Sequence, residues 1–245
     1  MAEFKMKIAG HTALVSSLFE STRDYCKDYL TDDEPEFTIT VTAEDLAFEQ
    51  ADLLAEALAE GMKPRKFTDP FLDRAAIQRV FAEYLFHRNI LLFHGSTVAL
   101  DGAAYLFTAK CGTGKSTHTR LWRQVFGDRA TMVNDDKPFL ELTASGVIAH
   151  GSPWSGKHGL SGNISVPLKG ICILHRGPEN KIRPISPEEA TEMLLAQGYC
   201  PQDPQLQETF RALTTRLGNT VPLWSMECTK DPEAAEISHQ AMSNA

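Results

Sequence analysis

One short segment of this sequence carries the residue types needed to hold a polyphosphate. Residues 109–117 fit the phosphate-binding pattern of Gly or Ala, four variable residues, Gly-Lys and Ser or Thr, with Ala109 in the first position. Gly112 and Gly114 allow successive backbone N–H groups to converge on an anion. A helix that begins there adds its positive N-terminal dipole. The segment, called the P-loop below, predicts a nucleotide phosphate site formed by Ala109, Lys110, Cys111, Gly112, Thr113, Gly114, Lys115, Ser116 and Thr117.

Two side chains of the P-loop have specific tasks in such a site. Lys115 supplies a point charge for the β- and γ-phosphates, and Ser116 offers a hydroxyl to Mg²⁺. A strand-like run at 103–108 precedes the loop and a helix over about 117–126 follows it, which is the context that this motif requires. The sequence therefore predicts ATP and Mg²⁺ as cofactors.

Two acids follow the next predicted strand. Residues 131–133 indicate a strand, and Asn134-Asp135-Asp136 comes directly after it. Downstream of a P-loop, one acid can hold a metal ion while the other accepts a hydroxyl proton. Two adjacent carboxylates also repel, which raises the pKa of one of them unless a cation offsets it. In isolation the same pair indicates a solvated turn.

Two further features lie near this chemistry in sequence. His94 ends an apolar strand 21 residues before Lys115, and a lone histidine is usually structural. Residues 151–163 form a long Gly- and Ser-rich segment. We hypothesise that Lys157 or His158 in this segment contacts the transferred phosphoryl group or its acceptor. The alternative is a solvated surface loop.

Three segments together resemble the HPr kinase/phosphorylase family. These bacterial protein serine kinases are related in P-loop fold to phosphoenolpyruvate carboxykinases. The resemblance rests on His94–Gly102, Leu106–Ser116 and Val133–Asp136, and it covers about residues 90–140. It implies an oligomer and a protein or peptide serine as phosphoryl acceptor.

The resemblance also implies a role for each matching residue. Lys115 and the loop backbone hold the nucleotide phosphates, and Ser116 is a Mg²⁺ ligand with Asp136 nearby. Asp135 is the general base that activates the acceptor hydroxyl. His94 orients Asp135, which replaces the structural interpretation of that histidine.

Composition narrows the partners. The chain has 245 residues and a formal charge of −8 from 24 Lys plus Arg and 32 Asp plus Glu, which argues against a nucleic-acid surface. We expect no signal peptide and no membrane span, because the required apolar runs are missing. Five widely spaced cysteines without a C-x-x-C pair indicate reduced thiols in a cytoplasmic protein.

The order of predicted elements indicates an α/β fold with a mixed sheet. Asp101-Gly102 predicts a hairpin directly before the P-loop, hence antiparallel neighbours. We expect residues 1–68 to be an N-terminal α+β segment packed on the core, with a linker near 61–69. Residues 69–245 are then a P-loop kinase domain of the HPr kinase/phosphoenolpyruvate carboxykinase type.

Helix starts are marked by capping patterns. Thr42 to Asp45 opens an Ala- and Leu-rich helix that runs to about Gly61, and Asp69-Pro70 opens the next. Further starts are predicted at Ser186, Asp203 and Asp231, each followed by proline.

Three functions fit these observations. The leading one is transfer of the γ-phosphoryl group of ATP to a hydroxyl, with a peptide or protein serine as acceptor. A second is a small-molecule kinase or a carboxykinase-like enzyme. A third is a regulatory module that binds nucleotide without turnover, although two retained acids argue against it.

Overall fold

The computed structural model describes residues 1–59 and 63–244. The chain divides into two compact units, Met1–Leu85 and Phe86–Ala245. The sequence predicts that a kinase domain begins at residue 69, and this domain boundary stays a prediction. The two compact units of the structure divide after Leu85. The expected helix end and linker start at Gly61 lie outside the described residues.

The first unit contains a three-stranded sheet and three helices. Strands β1 and β2 form an antiparallel hairpin, and β3 is parallel to β2. Alternate residues of β1 are buried, as expected of a strand with one face on a core. The elements are β1 (Ala2–Ile8), β2 (His11–Ser17), α1 (Glu20–Tyr25), β3 (Phe37–Thr40), α2 (Ala43–Ala59) and α3 (Asp69–Phe86).

The capping box predicted before α2 is confirmed. The Thr42 N–H donates to Asp45 Oδ2 at 3.0 Å, and the Asp45 N–H donates to Thr42 Oγ1 at 3.3 Å. A shorter acid replaces the usual Glu, yet it satisfies the same free N–H groups at the helix start. The box predicted at Ser186 is also complete.

The second unit is built around a nine-stranded mixed sheet, which confirms the α/β class. Its main path runs β4-β8-β9-β10-β6-β5-β7, with β12 beside β10 and β11 beside β12. Its elements are β4 (Ile90–Leu92), β5 (Ser96–Leu100), β6 (Ala103–Thr108), α4 (Lys115–Phe126), β7 (Ala130–Asn134), β8 (Phe139–Leu142), β9 (Val147–His150), β10 (Ser165–Arg176), β11 (Lys181–Pro184), α5 (Pro187–Gln197), α6 (Pro204–Thr220), β12 (Leu223–Cys228) and α7 (Glu233–Ser243).

The hairpin predicted before the P-loop is present. Strands β5 and β6 pair antiparallel, and Asp101 and Gly102 turn the chain with φ of +50° and +84°. Positive φ at both central residues suits the right-handed twist of the flanking strands. Strand β8 was not predicted, because Phe139–Leu142 is short and follows the acids without a turn pattern.

Four strands of this sheet end at the same edge. Strands β6, β10 and β12 are mutually parallel, and β5 is antiparallel to both β6 and β7. The carboxyl ends of β6, β7, β10 and β12 therefore lie at the same edge. Such an edge is where open α/β sheets bind ligands.

Helix α4 follows the P-loop and is held by α7. Trp122 is fully buried, and its Nε1–H donates to Ser238 Oγ at 2.9 Å. His118 Nε2 lies 3.0 Å from the same hydroxyl. Burial lowers the pKa of His118 to about 4, so the ring is neutral at pH 7. These contacts fix the helix whose first turn belongs to the P-loop.

The structure bears on two expectations from composition, the absence of a membrane span and the reduced state of the cysteines. Within residues 1–59 and 63–244, no helix is both long and apolar enough to cross a lipid bilayer. The five cysteines are all free thiols, and Cys26 and Cys172 are buried. Burial raises the pKa of the Cys26 thiol to about 12, so this side chain is an unreactive core residue.

The first unit should depend on the buried Asp73. Its carboxylate accepts hydrogen bonds from Ser17 Oγ at 2.7 Å, the Leu18 N–H at 2.9 Å and Thr22 Oγ1 at 2.6 Å. Asp73→Asn places an N–H₂ donor against groups that already donate, so the free energy of unfolding should fall by about 1–3 kcal/mol. Urea denaturation measures it. The exposed Asp32→Asn is the control, and an equal effect in both variants would contradict the assignment.

Candidate active site

The P-loop has a backbone that only its glycines can adopt easily. Gly112 has φ of +73° and Gly114 has φ of +127°, and L side chains rarely adopt such values. The His118 N–H donates to the Gly114 carbonyl at 2.9 Å, which closes the first turn of α4. The Thr113 N–H donates to the Lys110 carbonyl at 3.2 Å, so the loop also holds its own turn. The nucleotide phosphate site itself stays a prediction.

The nine P-loop residues run from the end of β6 into the first turn of α4. Ala109 is fully buried in the core beneath the sheet edge, which explains a side chain at the first glycine position. Lys110 and Cys111 are exposed at the tip. Lys115 is buried, and its Nζ donates to the Ala109 carbonyl at 3.0 Å. The Lys115 side chain therefore crosses from the start of α4 to the first residue of the loop. A phosphate bound by the loop would compete with the Ala109 carbonyl for the ammonium group.

Asp135 is a buried carboxylate tied to the start of α4. Its Oδ1 accepts from Ser96 Oγ at 2.6 Å, and the Ser116 side chain also donates to it. Ser96 in turn lies 2.7 Å from Thr119 Oγ1. Burial raises the pKa of Asp135 above its usual range although these hydrogen bonds favour the ionised form. Asp135 is thereby a stronger base than a solvated aspartate.

Asp136 faces a different partner. His94 Nε2 lies 3.3 Å from Asp136 Oδ1, so the expected pairing of His94 with Asp135 is replaced by one with Asp136. Asp135 and Asp136 lie in the bend that directly follows β7, and the two acids have different partners there. Burial raises the pKa of Asp136, but the His94 hydrogen bond and the Lys137 and Lys115 charges outweigh it, so this pKa lies below the usual range.

The pKa of His94 also departs from its ordinary value. Burial lowers it, and the charges of Lys137 and Lys115 lower it further, while Asp136 acts in the opposite direction. The net effect favours a neutral imidazole near pH 7. A neutral His94 donates to Asp136 without adding a charge to the site.

Asn134 fixes the backbone that carries both acids. It is fully buried, and its Oδ1 accepts from the Asp136 N–H at 2.8 Å and the Lys137 N–H at 2.6 Å. Its Nδ2 donates to the Ser152 carbonyl at 2.9 Å. The sequence reasoning assigned Asn134 no role, although an asparagine two residues before a backbone N–H is a familiar turn former.

The 151–163 loop is hydrogen-bonded to the end of β7 and to Asp135, which directly follows it. The Asp135 N–H donates to the Leu160 carbonyl at 3.0 Å, and the Gly162 N–H donates to the Val133 carbonyl at 3.1 Å. A Cβ built on Gly156 would lie 3.2 Å from Asp136 Cβ. The loop is therefore part of the site rather than a separate surface segment.

The same loop carries the two predicted cations, and its Gly156 lies next to Asp136. Lys157 and His158 lie in a single 3₁₀ turn, Gly156–His158. The charge of His158 acts on Asp135 by lowering its pKa. Lys157 is exposed at the centre of that turn. A contact of Lys157 or His158 with a phosphoryl group stays a prediction.

Arg176, at the end of β10, contacts the tip of the P-loop and was not predicted from the sequence. Its Nε donates to the Thr113 carbonyl at 3.2 Å, and its Nη2 donates to the Gly112 carbonyl. It also borders a groove of about 490 Å³ beside the P-loop tip. No local pattern marks Arg176, because only the parallel pairing of β10 with β6 brings it there.

The donor set suits a magnesium ion held together with a nucleotide. Among the described residues, no group of three or more His, Cys, Asp and Glu side chains is arranged to hold a metal. Mg²⁺ commonly uses one or two carboxylates and substrate phosphates, so such a cluster is not required. Ser116 and the acids at 135 and 136 provide suitable oxygens, with Ser116 contacting Asp135.

Comparisons with known proteins give two results besides the family. Among solved structures, the HPr(Ser) kinase/phosphatase from Coxiella burnetii is similar over 62% of this chain and 88% of that chain. The TM-score is 0.36 and the sequence identity is 14%. No curated protein matches this chain.

The family model described as SynChlorMet cassette protein ScmC matches residues 74–202, which is 129 of the 245 residues. The matched stretch contains the P-loop, both acids, the 151–163 loop and Arg176. The chain belongs to the ScmC family.

Proposed function

We propose that this protein is an ATP-dependent kinase that transfers the γ-phosphoryl group to a hydroxyl, that of a serine in a peptide or protein. The observation that carries the proposal is the meeting of four side chains at one sheet edge. Ser116 of the P-loop contacts Asp135, and His94 contacts Asp136 beside it. The resemblance of residues 90–140 to HPr kinases supports the same chemistry.

The reaction needs positioning and charge neutralisation more than covalent chemistry. The acceptor oxygen forms a bond to the γ-phosphorus while the bond to the β–γ bridging oxygen breaks, and ADP leaves with that electron pair. Lys115 and the backbone N–H groups of the P-loop hold the phosphates. Bound Mg²⁺ would neutralise charge on the β- and γ-oxygens.

We assign the proton transfer to Asp135 and metal binding to Asp136 with Ser116. The raised pKa of Asp135 makes it the better proton acceptor, and the lowered pKa of Asp136 keeps it ionised. Lys157 reaches the phosphoryl group from the 151–163 loop in this scheme.

One contact favours a second assignment, in which the roles of the two acids are exchanged. The Ser116 side chain is hydrogen-bonded to Asp135, which supports Asp135 as the acid on the metal side. His94 then supports Asp136 as the base. Both assignments describe the same reaction. They differ in which acid, when replaced by asparagine, should change the dependence of the rate on Mg²⁺ concentration.

Incubation with γ-labelled ATP, Mg²⁺ and a library of serine-containing peptides tests the proposed function. We expect ADP and singly phosphorylated peptides in equal amounts, identified by mass spectrometry. Transfer only to small hydroxyl compounds would replace the acceptor class. Saturable ATP binding without ADP formation would contradict the kinase proposal and favour a nucleotide-binding module.

Lys115→Met should weaken ATP binding about 10- to 100-fold, because a buried charge-assisted contact with phosphate is lost. Calorimetric titration with a non-hydrolysable ATP analogue and Mg²⁺ measures this. The exposed Lys230→Met is the matched control and should retain wild-type affinity. Unchanged affinity in Lys115→Met would remove the P-loop from nucleotide binding.

Asp135→Asn and Asp136→Asn should fail in different ways. Loss of the base should lower ADP formation at least about 100-fold at every Mg²⁺ concentration. Loss of a metal carboxylate should raise the Mg²⁺ concentration for half-maximal rate about tenfold or more, with partial recovery at high Mg²⁺. We expect the first pattern in Asp135→Asn and the second in Asp136→Asn.

The rate of ADP formation with water as acceptor, measured across a Mg²⁺ series, distinguishes the two patterns. The exposed Asp128→Asn controls for the loss of one negative charge. The reverse distribution between the two variants would establish the exchanged assignment. Wild-type kinetics in both variants would contradict a catalytic role for either acid.

Lys157→Ala should lower ADP formation about 10- to 100-fold with little change in affinity for the ATP analogue. The reason is that a cation above the acids acts mainly on charge that develops during transfer. Lys181→Ala, an exposed lysine on β11, serves as the control. Full turnover in Lys157→Ala would leave the lysine as a solvated surface residue.

A further inference from the structure

The carbonyl groups at the P-loop tip are bound from outside the loop. Arg176 donates through Nε to the Thr113 carbonyl at 3.2 Å and through Nη2 to the Gly112 carbonyl. Two adjacent peptide carbonyls are thus held by one planar guanidinium. Arginine is suited to this because its donors are fixed in a rigid fork.

We infer that Arg176 is a positioning residue that holds the P-loop in its anion-binding shape. A loop that binds an anion through backbone N–H groups must direct the neighbouring carbonyls away from that anion. Arg176 binds two of those carbonyls. This inference rests on the proposed triphosphate site and extends it to a residue outside the motif.

The loop needs such support because its own sequence provides little rigidity. Glycine has more backbone freedom to lose than any other residue, and two of the tip residues, Gly112 and Gly114, are glycines with positive φ. A loop ordered before binding avoids that entropy loss when the ligand arrives. Arg176 therefore acts on affinity for phosphate without touching phosphate.

The support is itself fixed by the sheet. Arg176 is the last residue of β10, which pairs with β6 on one side and with β12 on the other. Cys172, Ile173 and Leu174, just before it, are buried. The backbone of Arg176 thus comes from a paired strand, and its side chain alone spans to the loop.

The partners also separate this role from an ordinary ion pair. Both acceptors are neutral peptide carbonyls, so the contact depends on donor geometry as well as charge. Lysine keeps the charge but lacks the fork. Arg176→Ala and Arg176→Lys should both weaken phosphate binding if geometry is what matters.

The experiment compares binding of ATP and of inorganic tripolyphosphate, each with Mg²⁺, to the wild type, Arg176→Ala and Arg176→Lys. In Arg176→Ala we expect about tenfold weaker binding of both ligands, by equal factors, with an unchanged melting temperature. Amide hydrogen exchange of residues 109–117 in the free protein should become faster, and saturating tripolyphosphate should restore protection. Arg211→Ala, an exposed arginine on α6, is the control.

Each contrary result has a distinct meaning. Unchanged affinity in Arg176→Ala overturns the inference. Weaker binding of ATP but not of tripolyphosphate overturns it too, because Arg176 would then contact the nucleoside. Weaker binding with unchanged loop exchange, or wild-type affinity in Arg176→Lys, overturns it in favour of a direct charge effect on phosphate. If the wild type binds neither ligand, the proposed function itself fails.

Discussion

The buried carboxylate of Asp135 is the interaction on which the arrangement of the site depends. A carboxylate removed from water is stable only when hydrogen-bond donors surround it. Here the donors come from Ser96 on β5 and Ser116 at the start of α4. Asp135, the residue directly after β7, therefore joins β5, β7 and the start of α4, and its hydrogen bonds fix these elements relative to one another.

The remaining contacts extend this relation outward in two directions. On the side of β7, Asn134 secures the turn that carries the acids and binds Ser152 of the 151–163 loop. On the side of β10, Arg176 binds the carbonyls of the P-loop tip. The P-loop tip and the 151–163 loop are thus each attached to a paired strand, and loops held in this way can position functional side chains precisely.

The sequence was informative about features whose hydrogen bonds join residues close together in the chain. The P-loop, the 101–102 hairpin and the capping boxes at Thr42 and Ser186 are all local, since their hydrogen bonds join residues a few positions apart. The mixed α/β sheet followed from the same local patterns. Strand β8 and the full length of β10 did not, because their pairing partners decide where they begin and end.

Long-range partnerships explain what the sequence could not provide. The order of residues makes Asp135 and Asp136 equivalent neighbours, and only the direction of each side chain gives His94 to Asp136 and Ser116 to Asp135. Arg176 lies in no motif and reaches Thr113 because two strands pair in parallel. By itself the sequence determined which residues have side chains and local turns suited to binding phosphate and accepting a proton, and these roles stay predictions. The tertiary structure alone decided which of them meet, because burial and strand pairing act between distant parts of the chain.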